Sequence, residues 1–292
     1  MTFLSLLLAL FLEHFTSLFE PWRALSAFGD HVRWLSDRAR RLGDMDGLLG
    51  VLLVLLPPLV VVAAVSDLLD GWLLGLPWLV FAVSVLVLSF GRDLDEDLNR
   101  FVEACAVDDA QRIEQAWRAL RDEPLPESAA DRVRGIVGAA FSEAEHRWFG
   151  VIFWFLLLGP VGAAGYRLLH ELARHPDWVG PGFHAAACRF LGLLDWLPAH
   201  LAALAYGVAG SLDGVIAALR ERLWAPLDEL PALNRHLLVE SGLASIHLER
   251  YLGDELDARG VALVTELVSH MLLRALAVWI VVLALMTIAN LL

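Results

Sequence analysis

"FWFLLLGPVGAAGYRLLH", residues 153–170, sets Gly-Pro-Val-Gly in the middle of a long apolar run. Gly and Pro weaken a helix in water more than any other residues. The stretch is therefore either a loop or a helix in a solvent that tolerates helix breakers. Composition favours the helix: the chain is 58% hydrophobic with a mean hydropathy of +0.60, well above an ordinary soluble domain. In lipid no water competes for backbone groups, so a helix keeps its hydrogen bonds with Gly and Pro inside it. The stretch reads as a membrane helix. Its small residues Gly159, Gly162, Ala163 and Gly165 admit a neighbouring helix at close range.

Working outward, uncharged runs cover Leu48–Ser66, Gly71–Gly91, Phe149–Tyr166 and Ala275–Leu292. Each is about as long as the ~20 residues needed to cross a bilayer core of roughly 30 Å. A shorter run, Trp196–Leu212, follows Asp195. The expected fold is an all-α, polytopic membrane bundle of about five spans, a single domain over 1–292. The N-terminal "MTFLSLLLALFLEHF" has no preceding positive charge and no small-x-small cleavage site, so it reads as an uncleaved interfacial or re-entrant helix. Its apolar spacing continues through Phe15, Leu18 and Phe19.

All 22 basic side chains are arginine. With five spans, nineteen fall on one side and three, between Arg167 and Arg189, on the other. The positive-inside rule then places the 92–147 loop in the cytoplasm and the 170–184 loop outside. Within the 92–148 insertion, Leu94, Leu98, Phe101 and Val102 recur at helical spacing, as do Ile113, Trp117 and Leu120. Asp108 or Asp109 can cap the second helix, and "EPLPES" ends the pattern. A helical hairpin followed by a third helix running into Phe149 is expected.

The net charge of -13 argues against nucleic acid or an anionic lipid surface as main partner. Without lysine there is no P-loop, no Schiff base and no Ser-Lys mechanism. Cys105 and Cys188 stand far apart and form no Cys-x-x-Cys pair. His170, Glu171, His175 and His184 can gather around a cation, but their spacing matches no zinc pattern, and neither metal nor cofactor is expected. Asp195 is more informative, with Arg189 six residues before it and His200 five after. A carboxylate at membrane depth is costly and is usually paired or functional. The plain alternative is an N-cap, with Pro198 in the first helical turn. Glu13 has the same ambiguity, and Arg167 can pair with either acid or snorkel to the interface.

Three stretches carry a resemblance: "FLEHFTSLFEPWRALSAFGDHVRWL" (11–35), "EHRWFGVIFWFLLLGPVGAAGYRL" (145–168) and "LDWLPAHLAALAYGVAGS" (194–211). In order and spacing they resemble the AmpE family, most tellingly at Glu13, Trp22, Arg147, Arg167, Asp195, Trp196 and Pro198. That resemblance implies a multi-pass protein of the bacterial inner membrane, linked to β-lactamase induction, cell-wall status and antibiotic resistance. AmpE in turn is similar to the cobalamin-pathway proteins CbiB and CobD, which form an amide in an ATP-dependent step. Here "AAFSEAEHRWFGVIFW" (139–154) lacks the Glu-Asn pair of that type, and "HELA" (170–173) replaces its Asn-Thr-Leu-Asp.

The expected function is thus a non-catalytic membrane regulator or sensor, with the lipid bilayer, a second copy of the chain and a small anionic or cell-wall-derived ligand as partners. The alternatives are a diverged amide-forming enzyme and a small transporter. Candidate polar residues are Glu13, Glu143, Glu145, Arg147, Arg167, Arg189, Asp195, Trp196 and His200, with Gly159, Gly162 and Gly165 for helix packing. Carboxylates gathered in one pocket would favour an enzyme, whereas carboxylates each paired with arginine would favour a scaffold.

Overall fold

The computed structural model describes residues 2–15, 26–39, 47–91, 93–121, 124–221, 225–247 and 258–289. The expected positions Leu18, Phe19 and Trp22 lie outside them. The described residues are helical, with no strand among them. In chain order the helices are α1 (Thr2–Phe15), α2 (Ser26–Ala39), α3 (Leu48–Leu69), α4 (Leu76–Ser89), α5 (Leu94–Val107) and α6 (Ala110–Leu120). Then follow α7 (Ala129–Ala144), α8 (Gly150–Arg174), α9 (Pro181–Ala209), α10 (Leu212–Glu221), α11 (Leu230–Ile246) and α12 (Ala258–Ile288). A π-helical turn, Glu145–Phe149, joins α7 to α8.

Five stretches are long and apolar enough to cross a membrane: Leu48–Leu69, Leu76–Val107, Ala129–Arg174, Pro181–Ala209 and Gly260–Ile288. α3 holds its helix through Pro57 and Pro58, as expected where lipid offers the backbone no competing partner. Its Leu49, Leu53, Leu56, Val60 and Val61 face away from protein, and so do Val281, Val282 and Leu285 of α12. Exposed apolar faces of this extent suit a hydrocarbon solvent. The Trp78 indole N–H donates to Ser66 Oγ at 3.0 Å and ties α4 to α3.

The opening stretch does not run straight. Gly159 sits at φ 63°, ψ −149°, inside α8, a backbone region that only glycine adopts readily. The partners on either side show a full reversal. A Cβ on Gly162 would overlap the Trp154 carbonyl oxygen, and one on Gly150 would overlap the Tyr166 phenol. The rings of His146 and His170 lie 4.7 Å apart, and Arg174 reaches Glu143 at 3.5 Å. These pairs are symmetric about residue 158 and extend to partners 31 residues apart in sequence. A straight helix separates such positions by more than 40 Å at ~1.5 Å per residue. α8 is a helical hairpin with its tip at Gly159-Pro160.

This reversal corrects the expected course of the chain. Phe149–Tyr166 is not one straight crossing, and residues 170–184 lie at the same end of the molecule as Glu143. The Arg167 guanidinium packs on Gly91, just beyond α4. Arg167 and Arg174 therefore join the arginines of the 92–147 segment rather than opposing them. The three glycines also separate by role. Gly159 makes the turn, Gly162 meets the other arm of its own hairpin, and a Cβ on Gly165 would meet Leu59 of α3 at an ordinary 3.4 Å.

The α5–α6 hairpin matches its periodicity, with Leu94, Leu98, Phe101, Ile113, Trp117 and Leu120 buried and Val102 half-buried. Asp109 caps α6 by accepting from the backbone N–H groups of Gln111 and Arg112 at 3.0 and 3.2 Å. The Ser269 hydroxyl of α12 donates to Asp95 and holds α5 alongside. α9 differs from expectation: it starts at Pro181, and Asp195 stands well inside it. Asp195 is therefore not an N-cap, and Pro198 is not in a first turn. Where α9 meets α7, α8 and α12, Phe141, Phe149, Tyr206 and Trp279 form an aromatic seam, and the Tyr206 hydroxyl donates to the Phe141 carbonyl at 3.1 Å.

Candidate functional site

Three consecutive residues at the π turn go to two destinations. The Gly150 N–H donates to the Glu145 carbonyl, five residues back, so each residue of this turn is displaced from the α-helical 3.6 repeat. Such turns are frequent where a helix presents functional groups. Glu145 and His146 line a cavity, while Arg147 reaches α5.

The Arg147 side is a closed ion network. Its guanidinium donates to Asp97 Oδ2 at 2.8 Å and to Glu143 Oε2 at 2.8 Å, and Arg174 adds a contact of 3.5 Å to Glu143. Arg100 also lies 4.0 Å from Asp97 Oδ1, so three arginines face the two carboxylates, with Arg147 and Asp97 almost fully buried. Along the returning arm of the hairpin, Arg167 pairs with Glu171 at 2.6 Å.

Among the described residues, no arginine contacts Glu145 or Asp195. The Tyr166 hydroxyl donates to Asp195 Oδ1 at 2.8 Å and lies 3.3 Å from both Glu145 oxygens. His146 Nε2 is 3.3 Å from Asp195 Oδ2, and its Nδ1 is 3.4 Å from Glu145 Oε2. Nδ1 also lies 2.8 Å from the Ser142 carbonyl oxygen. A carbonyl only accepts, so Nδ1 carries a proton and donates it there. Glu145, Asp195 and Tyr166 are buried, and only the His146 ring retains exposure, towards the cavity.

The cavity has a volume of about 380 Å³ and lies between α7, α8, α9 and α11. Ser142, Glu143, Glu145, His146, His170 and Asp195 form one part of its wall; Arg121, Arg174, Asn234 and Arg235 contribute to the rest. Among the described residues, Ser142 Oγ, His170 Nδ1 and Asn234 Oδ1 are buried with no hydrogen-bond partner, although Asn234 Nδ2 donates to the Gly192 carbonyl at 2.7 Å. Gly192 lets α11 come close, since a Cβ there would press on Pro231.

Of the residues singled out from sequence, Glu143, Glu145 and Asp195 meet at this cavity, and Arg147 stands directly behind it. Arg189 pairs with Asp228 at 3.6 Å on the surface, not with Asp195. Glu13 on α1 does not line the cavity. Trp196 packs beside Ala225, Leu230 and Leu233, and its carbonyl lies 2.6 Å from His200 Nδ1; neither side chain enters the cavity. The group His170, Glu171, His175 and His184 does not gather around one point. Glu171 is 3.3 Å from His175, His184 sits 2.9 Å from the Ala173 carbonyl, and His170 turns to His146. Sequence reasoning missed His146, Tyr166, Ser142 and Asn234. The 145–168 and 194–211 stretches that carry the resemblance both contribute to this cavity, a signal that covers His146 and Tyr166 but not Ser142 or Asn234.

A model of the family described as "Regulatory signalling modulator protein AmpE" matches residues 1–292. The chain belongs to the AmpE family. AmpE membership and the long apolar helices make it a multi-pass protein of the bacterial inner membrane. The chain is also similar to the "Cobalamin biosynthesis protein CobD" of Chromobacterium violaceum, at 33% identity over 152 residues, covering 49% of this chain and 48% of that relative. It thus spans about half the length of the curated relative it matches. No solved structure matches it.

Proposed function

We propose that this AmpE-family protein is a membrane regulator that binds a small anionic ligand in the cavity and takes part in β-lactamase induction and the sensing of cell-wall status. The observation that supports this is the set of buried, unpartnered polar atoms in the cavity wall: Ser142 Oγ, His170 Nδ1 and Asn234 Oδ1. Such atoms cost about 1–3 kcal/mol each when left unsatisfied, and a polar ligand would supply their partners. Arg121, Arg174 and Arg235 in the same wall suit an anionic group.

The test is β-lactamase induction in cells that carry only the introduced copy, at equal membrane amounts. His170→Phe keeps the ring and removes the nitrogens, while Ala139→Trp fills the cavity. Both variants should lose induction; wild-type induction from both would overturn the reading. A second reading, a diverged ATP-dependent amide-forming enzyme, is favoured by Glu145 and Asp195, which stand in the cavity wall without arginine partners beside a histidine able to transfer protons. Consumption of Mg-ATP by the purified protein that is lost in Glu145→Gln would favour that reading.

A further inference from the structure

We infer that Glu145, His146 and Asp195 hold a divalent transition-metal cation, of the Mn²⁺ or Zn²⁺ type, at the end of the cavity. One ligand atom from each of the three lies within 4.8 Å of the others. Atoms bound to one cation at about 2.1 Å lie roughly 3–3.5 Å apart, so side-chain movements of about 1 Å would close the set. One imidazole with two carboxylates suits a borderline metal rather than a hard cation that takes oxygen alone.

The local charge balance points the same way. Asp97 and Glu143 are matched by Arg147, Arg174 and Arg100, and Glu171 by Arg167. Glu145 and Asp195 face each other across Tyr166, whose single hydroxyl proton is shared between them. His146 gives its Nδ1 proton to the Ser142 carbonyl, so in the neutral ring Nε2 aims a lone pair at Asp195 Oδ2. A cation between Nε2 and the two carboxylates removes both repulsions at once. The supporting shell is already built: Nδ1–H is anchored on a backbone carbonyl, and the Tyr166 hydroxyl orients Asp195, which is how metal-bound histidines and carboxylates are usually held.

A separate observation points to a ligand at the same place. His170 is 6% exposed, packs on the His146 ring and lines this cavity with Nδ1 unpartnered; Asn234, 3% exposed, lines it with Oδ1 unpartnered. These atoms can accept from, or donate to, water or ligand atoms completing the metal's coordination. The inference stands whether the protein regulates or catalyses.

The test uses full-length, tag-free protein in detergent, stripped with chelator and then titrated with Mn²⁺ or Zn²⁺ alone. The wild type should take up a single equivalent and gain in Tm. Glu145→Gln, His146→Phe and Asp195→Asn should each weaken uptake by about tenfold or more while eluting as folded protein. The double variant His184→Ala/Cys188→Ser, which removes the 3.6 Å contact between His184 Nε2 and Cys188 Sγ near the cavity, should bind as wild type. Should a variant fail to fold, the Mn²⁺ electron-spin-echo spectrum of the wild type decides, because histidine coordination gives a nitrogen modulation. Absence of uptake or of nitrogen modulation in the wild type would overturn the site, as would full uptake by all three variants. The buried carboxylates would then be balanced by protons alone.

Discussion

Two clusters of charge sit back to back on the π turn, and they are built by opposite rules. Around Arg147, each carboxylate has a guanidinium partner, although Glu143 and Arg174 also edge the cavity. Around Glu145 and Asp195, two buried carboxylates share a tyrosine proton and a histidine, beside a cavity. The first arrangement is satisfied by the fold itself. The second is satisfied only when something is added to it, a proton or a cation, and that separates a structural cluster from one available for binding.

The sharpest way to break the comparison is Arg147→Met. Removing this cation takes away the close partner of Asp97, which is 2% exposed, and leaves it Arg100 at 4.0 Å, while Glu143 keeps the longer Arg174 contact. Losing one partner of a buried pair costs about 3–5 kcal/mol, a large share of the ~5–15 kcal/mol that holds a typical domain together. Little folded protein should be recovered from membranes, measured by size exclusion in detergent. A well-folded Arg147→Met protein would show that water reaches this network and that the two clusters are not different in kind.

The next effect concerns the hairpin, without which Glu145 and Tyr166 would never meet. Gly159→Ala places a Cβ at φ 63°, ψ −149°, a strain of about 1–3 kcal/mol. Gly162→Ala drives a Cβ into the Trp154 backbone, which a flexible side chain cannot absorb, so it should lower Tm at least as much. Gly165→Ala meets only Leu59 at van der Waals distance and should leave Tm nearly unchanged. Equal tolerance of all three would mean that the arms do not pack as described. Topology provides a second check: single cysteines at Asp177 and Asp131 should label from the same side of sealed vesicles.

How much of this was legible in the sequence varies by element. α3, α4 and the second half of α12 stand out as uncharged runs, and a cap at Asp108 or Asp109 and the α5–α6 periodicity were visible because both are local. The reversal at Gly159 was not read, because lipid tolerates Gly-Pro inside a straight helix as readily as a turn. One clue did exist: a residue before proline avoids the helical region, and glycine alone is comfortable well outside it. Asp195 stood out as an acid among apolar residues, yet its N-cap reading failed because α9 begins fourteen residues earlier, at Pro181. His146 had no signal of its own. It lies between Glu145 and Arg147 in what looks like a solvated charge run, and a π turn carries no sequence pattern to reveal that neighbours diverge.

The smallest expected effect is the most discriminating, and it concerns Asp195 in chelator-treated protein. If the Glu145–Asp195 cluster needs an added proton or cation, then without metal a neutral residue should serve as well as the acid. In Asp195→Asn the amide oxygen can still accept from the Tyr166 hydroxyl, while the amide N–H₂ replaces Oδ2 opposite His146 Nε2 and donates to its lone pair. The metal-free Tm should therefore stay level or rise slightly. Asp195→Ala leaves the Tyr166 hydroxyl and His146 Nε2 without that partner in a buried place, a loss of about 1–3 kcal/mol, and its Tm should fall. A metal-free Asp195→Asn protein as unstable as Asp195→Ala would mean that the Asp195 charge is already neutralised within the fold. The two clusters would then obey one rule.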